Sequence, residues 1–316
     1  MRDSLASDAT RLTCHSFSTT TSLASSIYDY RRENGRTYHA YKDGNYFLPN
    51  DEVSEQYLQH HLFTICFENS LYFAPIRDPQ TCLDIGTGTG IWAIDFAQDH
   101  PQCAITGIDL SPIQPSFVPP NLTFVIDDAE EEWIYSHKFD YIHARLMAGS
   151  LSDWEKLIQA AFDHLEPGGW FEIQDYILPC KSNDGSYEGT HLQAWGNYML
   201  EAARKFGRPM DLAQNYAGWM KQAGFVDVVE RMFIWPTNPW PKEVHLKEVG
   251  KWNEVNITNG MHAFTMAPFT RYLGWSEMEV EVFCAKVRAD VRDRSIHAYF
   301  QIPVVYGRKP PLPDDF

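Results

Sequence analysis

Nowhere in these 316 residues does an apolar run approach the length of about 20 that a membrane-crossing helix needs. The N-terminus, rich in Ser and Thr, has no apolar segment of signal-peptide type, so a cytoplasmic protein is expected, with the nucleus as the alternative. Positive charge is also scarce: 26 Lys and Arg stand against 42 Asp and Glu, a formal charge of −16. Such a surface repels phosphate backbones and anionic lipid, which argues against nucleic acid and membrane partners and leaves a protein partner open. Most of that charge is read as solvated surface. The cysteines, Cys14, Cys66, Cys82, Cys103, Cys180 and Cys284, are scattered with no Cys-x-x-Cys pair, so neither a zinc set nor a disulfide framework is indicated. Buried free thiols are expected.

What is present is a core's worth of apolar residues, 44% of the chain, arranged without internal repeats. Residues 1–26 are dominated by Ser and Thr and read as a loose tail. Residues 27–49 are dense in Tyr, Arg, Asn and Gly, too aromatic for a free linker. Pro49-Asn50-Asp51 then starts a helix whose inward stripe is read as Val53, Tyr57, His61, Ile65 and Glu68. After Pro75 and Pro79 short apolar strands alternate with helices, the pattern of a parallel sheet with crossover helices. Strands are predicted over 81–86, 104–110, 122–127, 139–145 and 170–174. Helices fall over 91–98 and 153–165, the latter followed by the turn Pro167-Gly168-Gly169. Further on come helices near 192–206 and 212–223, with Gly224 as cap, a strand over 225–235, helices through 236–293 and a last strand over 298–306. The expected organisation is a tail (1–26), an N-terminal lid and helix (27–80), an α/β core (81–235), and cover helices with the last core strand (236–316).

The strongest local signal is Cys82-Leu83-Asp84-Ile85-Gly86-Thr87-Gly88-Thr89-Gly90-Ile91-Trp92, a buried strand running into a glycine turn and a helix. Glycines there admit close approach of a ligand to the backbone. No Gly-Lys-Ser/Thr follows, which excludes a Walker A loop. A dinucleotide fingerprint would need glycine at position 91, where Ile91 stands.

The spacing Asp-x-Gly-x-Gly-x-Gly resembles motif I of class I S-adenosylmethionine (SAM)-dependent methyltransferases. A second feature agrees: Asp109 closes the second strand about 20 residues on, where a carboxylate can accept both ribose hydroxyls. The resemblance implies a Rossmann-like seven-stranded sheet with helices on both faces, an N-terminal helical and aromatic lid and a C-terminal helical insertion. It implies S-adenosyl-L-methionine held by Asp84, Gly86, Thr87, Gly88, Gly90, Asp109 and Leu110, with Asp84 on the methionine ammonium. Because this ligand carries a sulfonium and no pyrophosphate, an acidic turn suits it. At the end of the third strand Asp128 would meet the adenine amine and the Ala129 amide the ring.

More specifically, the chain resembles the fungal LaeA-like methyltransferases. The match lies at Glu33-Asn34-Gly35-Arg36-Thr37-Tyr38-His39, Leu48-Pro49-Asn50-Asp51-Glu52, the glycine turn, Phe139-Asp140-Tyr141-Ile142-His143-Ala144-Arg145 and Pro167-Gly168-Gly169-Trp170. It is strong over 27–175 and weak elsewhere. It implies either an enzyme methylating O or N of a small molecule, a fungal secondary metabolite, or a nuclear regulator of secondary metabolism working through protein partners. Tyr38 and His39 are assigned to a lid over the cofactor, or to an aromatic strap on the core.

Ligands of open parallel sheets lie at the carboxyl ends of the strands. That places His143, Arg145, Glu172 and Gln174 near the reaction, with Arg145 assigned to the cofactor. His143 is the candidate general base, or else a hydrogen-bonded structural histidine. Trp252, Met261, His262, Phe264, Met266 and Phe269 read as core between helices or as a substrate wall. No metal site is indicated, and activity without added metal is expected.

Overall fold

The computed structural model describes residues 30–38, 42, 49–50 and 53–313. The expected tail and His39 lie outside them. A short hairpin, β1 (Arg31–Glu33) and β2 (Arg36–Tyr38), precedes helix α1 (Val53–Cys66). The core then runs β3 (Thr81–Ile85), α2 (Ile91–Asp99), β4 (Ala104–Asp109), β5 (Leu122–Ile126), β6 (Phe139–Arg145), α3 (Trp154–His164) and β7 (Leu165–Gln174). Next come β8 (Ile177–Lys181), α4 (His191–Phe206), α5 (Tyr216–Ala223), β9 (Val226–Pro236), α6 (Val244–Pro268), α7 (Glu277–Arg292) and β10 (Tyr299–Arg308).

The sheet order is β5-β4-β3-β6-β7-β10, with β9 along the outer side of β10. β3 to β7 are parallel and β10 is antiparallel to its neighbours. This fills the expected seven strand positions, with β8 as an addition in line with β7. Gln174 faces Val304 and Ile177 faces Gln301, so the two strands share one register along β10 across a break at Asp175 and Tyr176. The Pro167-Gly168-Gly169 turn lies inside β7, as an irregularity between the pairs Phe139 to Leu165 and Tyr141 to Trp170.

Alternation along the strands sorts the core into faces. Leu83, Ile85, Ile142, Phe171 and Ile173 pack against Trp154, Leu157, Ile158, Tyr216 and Met220 of α3 and α5. Cys82, Ile105 and Tyr141 on the other face pack under Trp92, Ala93 and Phe96 of α2. A third cluster joins α1, α4, α6 and α7 to β8 and β10. Among the described residues no helix is long and apolar enough to cross a membrane, and the five described cysteines are free and buried.

In α1 the sequence pattern misled. Tyr57, His61 and Glu68 of the expected inward stripe are exposed, and the buried side carries His60, Leu62, Phe63, Cys66 and Phe67. The inward positions of its first turns are the polar Gln56, Gln59 and His60, because they border a cavity rather than the core.

Candidate functional site

One cavity opens at the carboxyl ends of β3, β4, β5 and β6, and Asp84, Gly86, Thr87, Gly88, Asp109, Leu110, Asp128, Ala129, His143 and Arg145 all border it. Gly86, Gly88 and Gly90 have φ of 66°, 57° and 79°, the left-handed region where a side chain is strained. Gly90 does not border the cavity; it starts α2 beneath Phe124, whose ring atom would lie 2.2 Å from a Cβ there.

Asp84 is almost wholly buried, with Oδ2 accepting from the Thr87 hydroxyl at 2.6 Å and Oδ1 from His143 Nδ1 at 2.8 Å. Asp109 ties the turn to β4: Oδ2 accepts from Gly88 N and Oδ1 from Ser111 N, both at 2.8 Å. Each oxygen retains a lone pair for a diol. Burial raises the Asp109 carboxyl, an effect those backbone donors oppose. Asp128 accepts from Glu130 N at 3.0 Å and lies 3.6 Å from the Lys42 ammonium.

Parallel pairing sets Asp84 beside His143 and His143 beside Glu172, a row of polar side chains across β3, β6 and β7. His143 is fully buried and its ring stacks on Trp92 at 3.6 Å. A general base must reach the proton it takes. Here Nδ1 is engaged with Asp84 and Nε2 is buried with no hydrogen-bond partner, a geometry that suits orienting Asp84.

Glu172 and Gln174 are fully buried and do not border the cavity. Instead Glu172 accepts from Phe73 N and Ala74 N, and Gln174 donates to Leu71 O at 2.9 Å, clamping the segment before β3. Tyr38 is buried outside the cavity too. Its ring lies 4.4 Å from the Arg271 guanidinium, which also pairs with Glu33, so the hairpin docks on the segment after α6. Asn50, tied to Thr37 at 2.8 Å, and Pro49 border the cavity in its place.

Sequence reasoning missed the wall given by α1. Gln56 Oε1 accepts from Thr89 N at 2.8 Å, and His60 bridges Asp95 and Arg145. Gln56, Gln59 and His60, three and four residues apart and so on one face of the helix, were the available signal. The far wall is mostly apolar, with Leu178, Trp195, Met199, Trp235, Phe264 and Phe300, joined by Asn253 and Asn256. Of the six residues read as core or wall, Phe264 borders the cavity and the other five do not, Met261, Met266 and Phe269 being core. Among the described residues no group of three or more His, Cys, Asp or Glu is placed to hold a metal ion.

Residues 58–230 match the family described as "Methyltransferase domain". Methyltransferase pytC of Aspergillus terreus is 42% identical over 299 residues, covering 93% of this chain and 92% of that protein. The secondary metabolism regulator laeA of Monascus pilosus is 36% identical, over 90% of this chain and 79% of its own. Among solved structures, phosphoethanolamine N-methyltransferase 2 of Haemonchus contortus in complex with S-adenosyl-L-methionine superposes with a TM-score of 0.50 at 15% identity, covering 92% of this chain and 73% of that one, which shows a shared fold. Domain match, full-length similarity and sheet order agree, and the chain belongs to the methyltransferase family, as a relative of fungal pytC and laeA.

Proposed function

We propose that the protein transfers the methyl group of S-adenosylmethionine to an oxygen or nitrogen of a small, largely apolar molecule of the secondary-metabolite type. One observation carries the reading: a single cavity joins carboxylates and a guanidinium at the glycine turn to an apolar wall from the C-terminal part of the chain. The charges fit the donor. Asp84 keeps acceptor capacity for an ammonium, and Arg145 borders the cavity with no carboxylate in ion-pair contact among the described residues. Burial lowers Arg145 to about 10, which leaves it cationic at neutral pH and suited to a carboxylate. Asp109 takes the ribose, with Asp128 and Ala129 at the base.

When bound, the donor supplies a methyl carbon activated by its sulfonium, so the chain's work is alignment and desolvation. The apolar wall excludes water from the acceptor, and α1 closes over the glycine turn through Gln56. His143 orients Asp84, and an acceptor that must lose a proton gives it to bulk water as the product leaves the cavity.

A regulator acting through protein partners is the second reading, supported by the similarity to laeA. Incubation with methyl-labelled SAM and an extract of a strain lacking the gene separates the two. Mass spectrometry should find a small molecule heavier by one methyl. Label on a protein alone favours the regulator, and folded protein that gives no heat with SAM or S-adenosylhomocysteine (SAH) refutes both.

A further inference from the structure

Arg145 is held by a chain of contacts that the donor site alone does not require. Its Nη2 donates to His60 Nδ1 at 2.9 Å, and His60 Nε2 lies 2.9 Å from Asp95 Oδ2. A guanidinium only donates, so Nδ1 must accept and the proton must sit on Nε2, where it is given to Asp95. The imidazole is thereby fixed in one neutral tautomer, and its burial works in the same direction. The carboxylate behind it makes Nδ1 a stronger acceptor. Phe63, on the same side of α1, lies 4.8 Å from the guanidinium and supports it.

Three elements thus meet on one cation. Asp95 comes from α2, which springs from the glycine turn; His60 comes from α1; Arg145 ends β6. A half-buried cation whose only hydrogen-bonding partner among the described residues is neutral has donors left over, and partial burial makes an anionic ligand for them favourable. We propose that His60 is a positioning residue which, anchored by Asp95, aims Arg145 at the carboxylate of the methyl donor's amino-acid tail. The proposal rests on the cavity being the SAM site and adds a dependence that site does not impose: α1 must be docked for the tail, though not for the nucleoside, to bind tightly.

The test compares SAH with 5′-methylthioadenosine, which shares the nucleoside and thioether but lacks the amino acid, by calorimetry. In His60→Ala the SAH dissociation constant should rise roughly tenfold, the usual size for an oriented bond to a charged group, while that of methylthioadenosine stays within about twofold. His60→Gln, whose amide oxygen can accept from Arg145, should recover most of the loss. Arg145→Met should show the same selective loss, and combining it with His60→Ala should add little. Equal weakening of both ligands would mean that His60 merely straps α1 down, and unchanged SAH affinity would remove its role; either overturns the proposal. Should His60→Ala not fold, Asp95→Ala, at a half-exposed position, is read by the same comparison. Wild-type protein that binds neither ligand sinks the cavity reading, and unaltered SAH binding in Arg145→Met sinks the carboxylate assignment. Each takes this proposal with it, and each is told apart from a failure of His60 alone.

Discussion

Replacing Asp109 by alanine tests the donor site where its geometry is most explicit. The carboxylate holds Gly88 N and Ser111 N at 2.8 Å, and in the proposed reading it has a second duty, offering its remaining lone pairs to the ribose diol. Losing hydrogen bonds to a charged acceptor costs roughly 1.5 to 3 kcal/mol, so SAH should bind about 10- to 100-fold more weakly. The two stranded backbone donors will also cost stability, offset in part because burial already disfavours the Asp109 charge. Calorimetry with SAH and its 2′-deoxyribose analogue separates the two duties. Wild type should lose affinity on removal of the hydroxyl, whereas Asp109→Ala should be nearly indifferent, since the partner is gone. If the variant binds SAH as wild type does, or still penalises the deoxy analogue fully, the ribose assignment is wrong.

Two further outcomes test the fold around the site. Gly90→Ala places a methyl 2.2 Å from Phe124 at φ 79°, and should destabilise by about 2 to 5 kcal/mol from backbone strain plus overpacking; urea unfolding with an unchanged midpoint would contradict the tight turn. Burial lifts Asp175 from 3.8 to about 7. The native state thus holds its proton more tightly than the unfolded chain, so this group's contribution is fully present below about pH 4 and is lost as pH rises through about 7, by at most about 4 kcal/mol. Asp175→Asn should therefore gain on wild type between pH 5 and pH 8 in unfolding experiments, and parallel pH profiles would refute the assignment.

The glycine turn, Asp84, Asp109 and the alternation of strands and helices were legible because each depends on neighbours in sequence or on the period of a strand. Glu172 and Gln174 were not: both sit on a strand end expected to face ligand, but their partners, Leu71 to Ala74, lie on a segment far away in sequence. Between the lid and the strap left open for Tyr38 the sequence could not choose for a similar reason, since Arg271 decides where the hairpin docks, and the buried ring packs as a strap outside the cavity. The face of α1 was misread because apolar periodicity assumes that inward means dry core, and Gln56, Gln59 and His60 border the cavity near the glycine turn instead.

That β7 and β8 follow one another along the same side of β10, with a register shift between Tyr299 and Gln301, has a consequence for how such a protein can change. Leu178 of β8 and Phe300 of β10, with Tyr176 in the break between β7 and β8, help shape the compartment opposite the glycine turn. Substitutions at these positions would reshape that compartment while leaving Asp84, Asp109 and Arg145 in place.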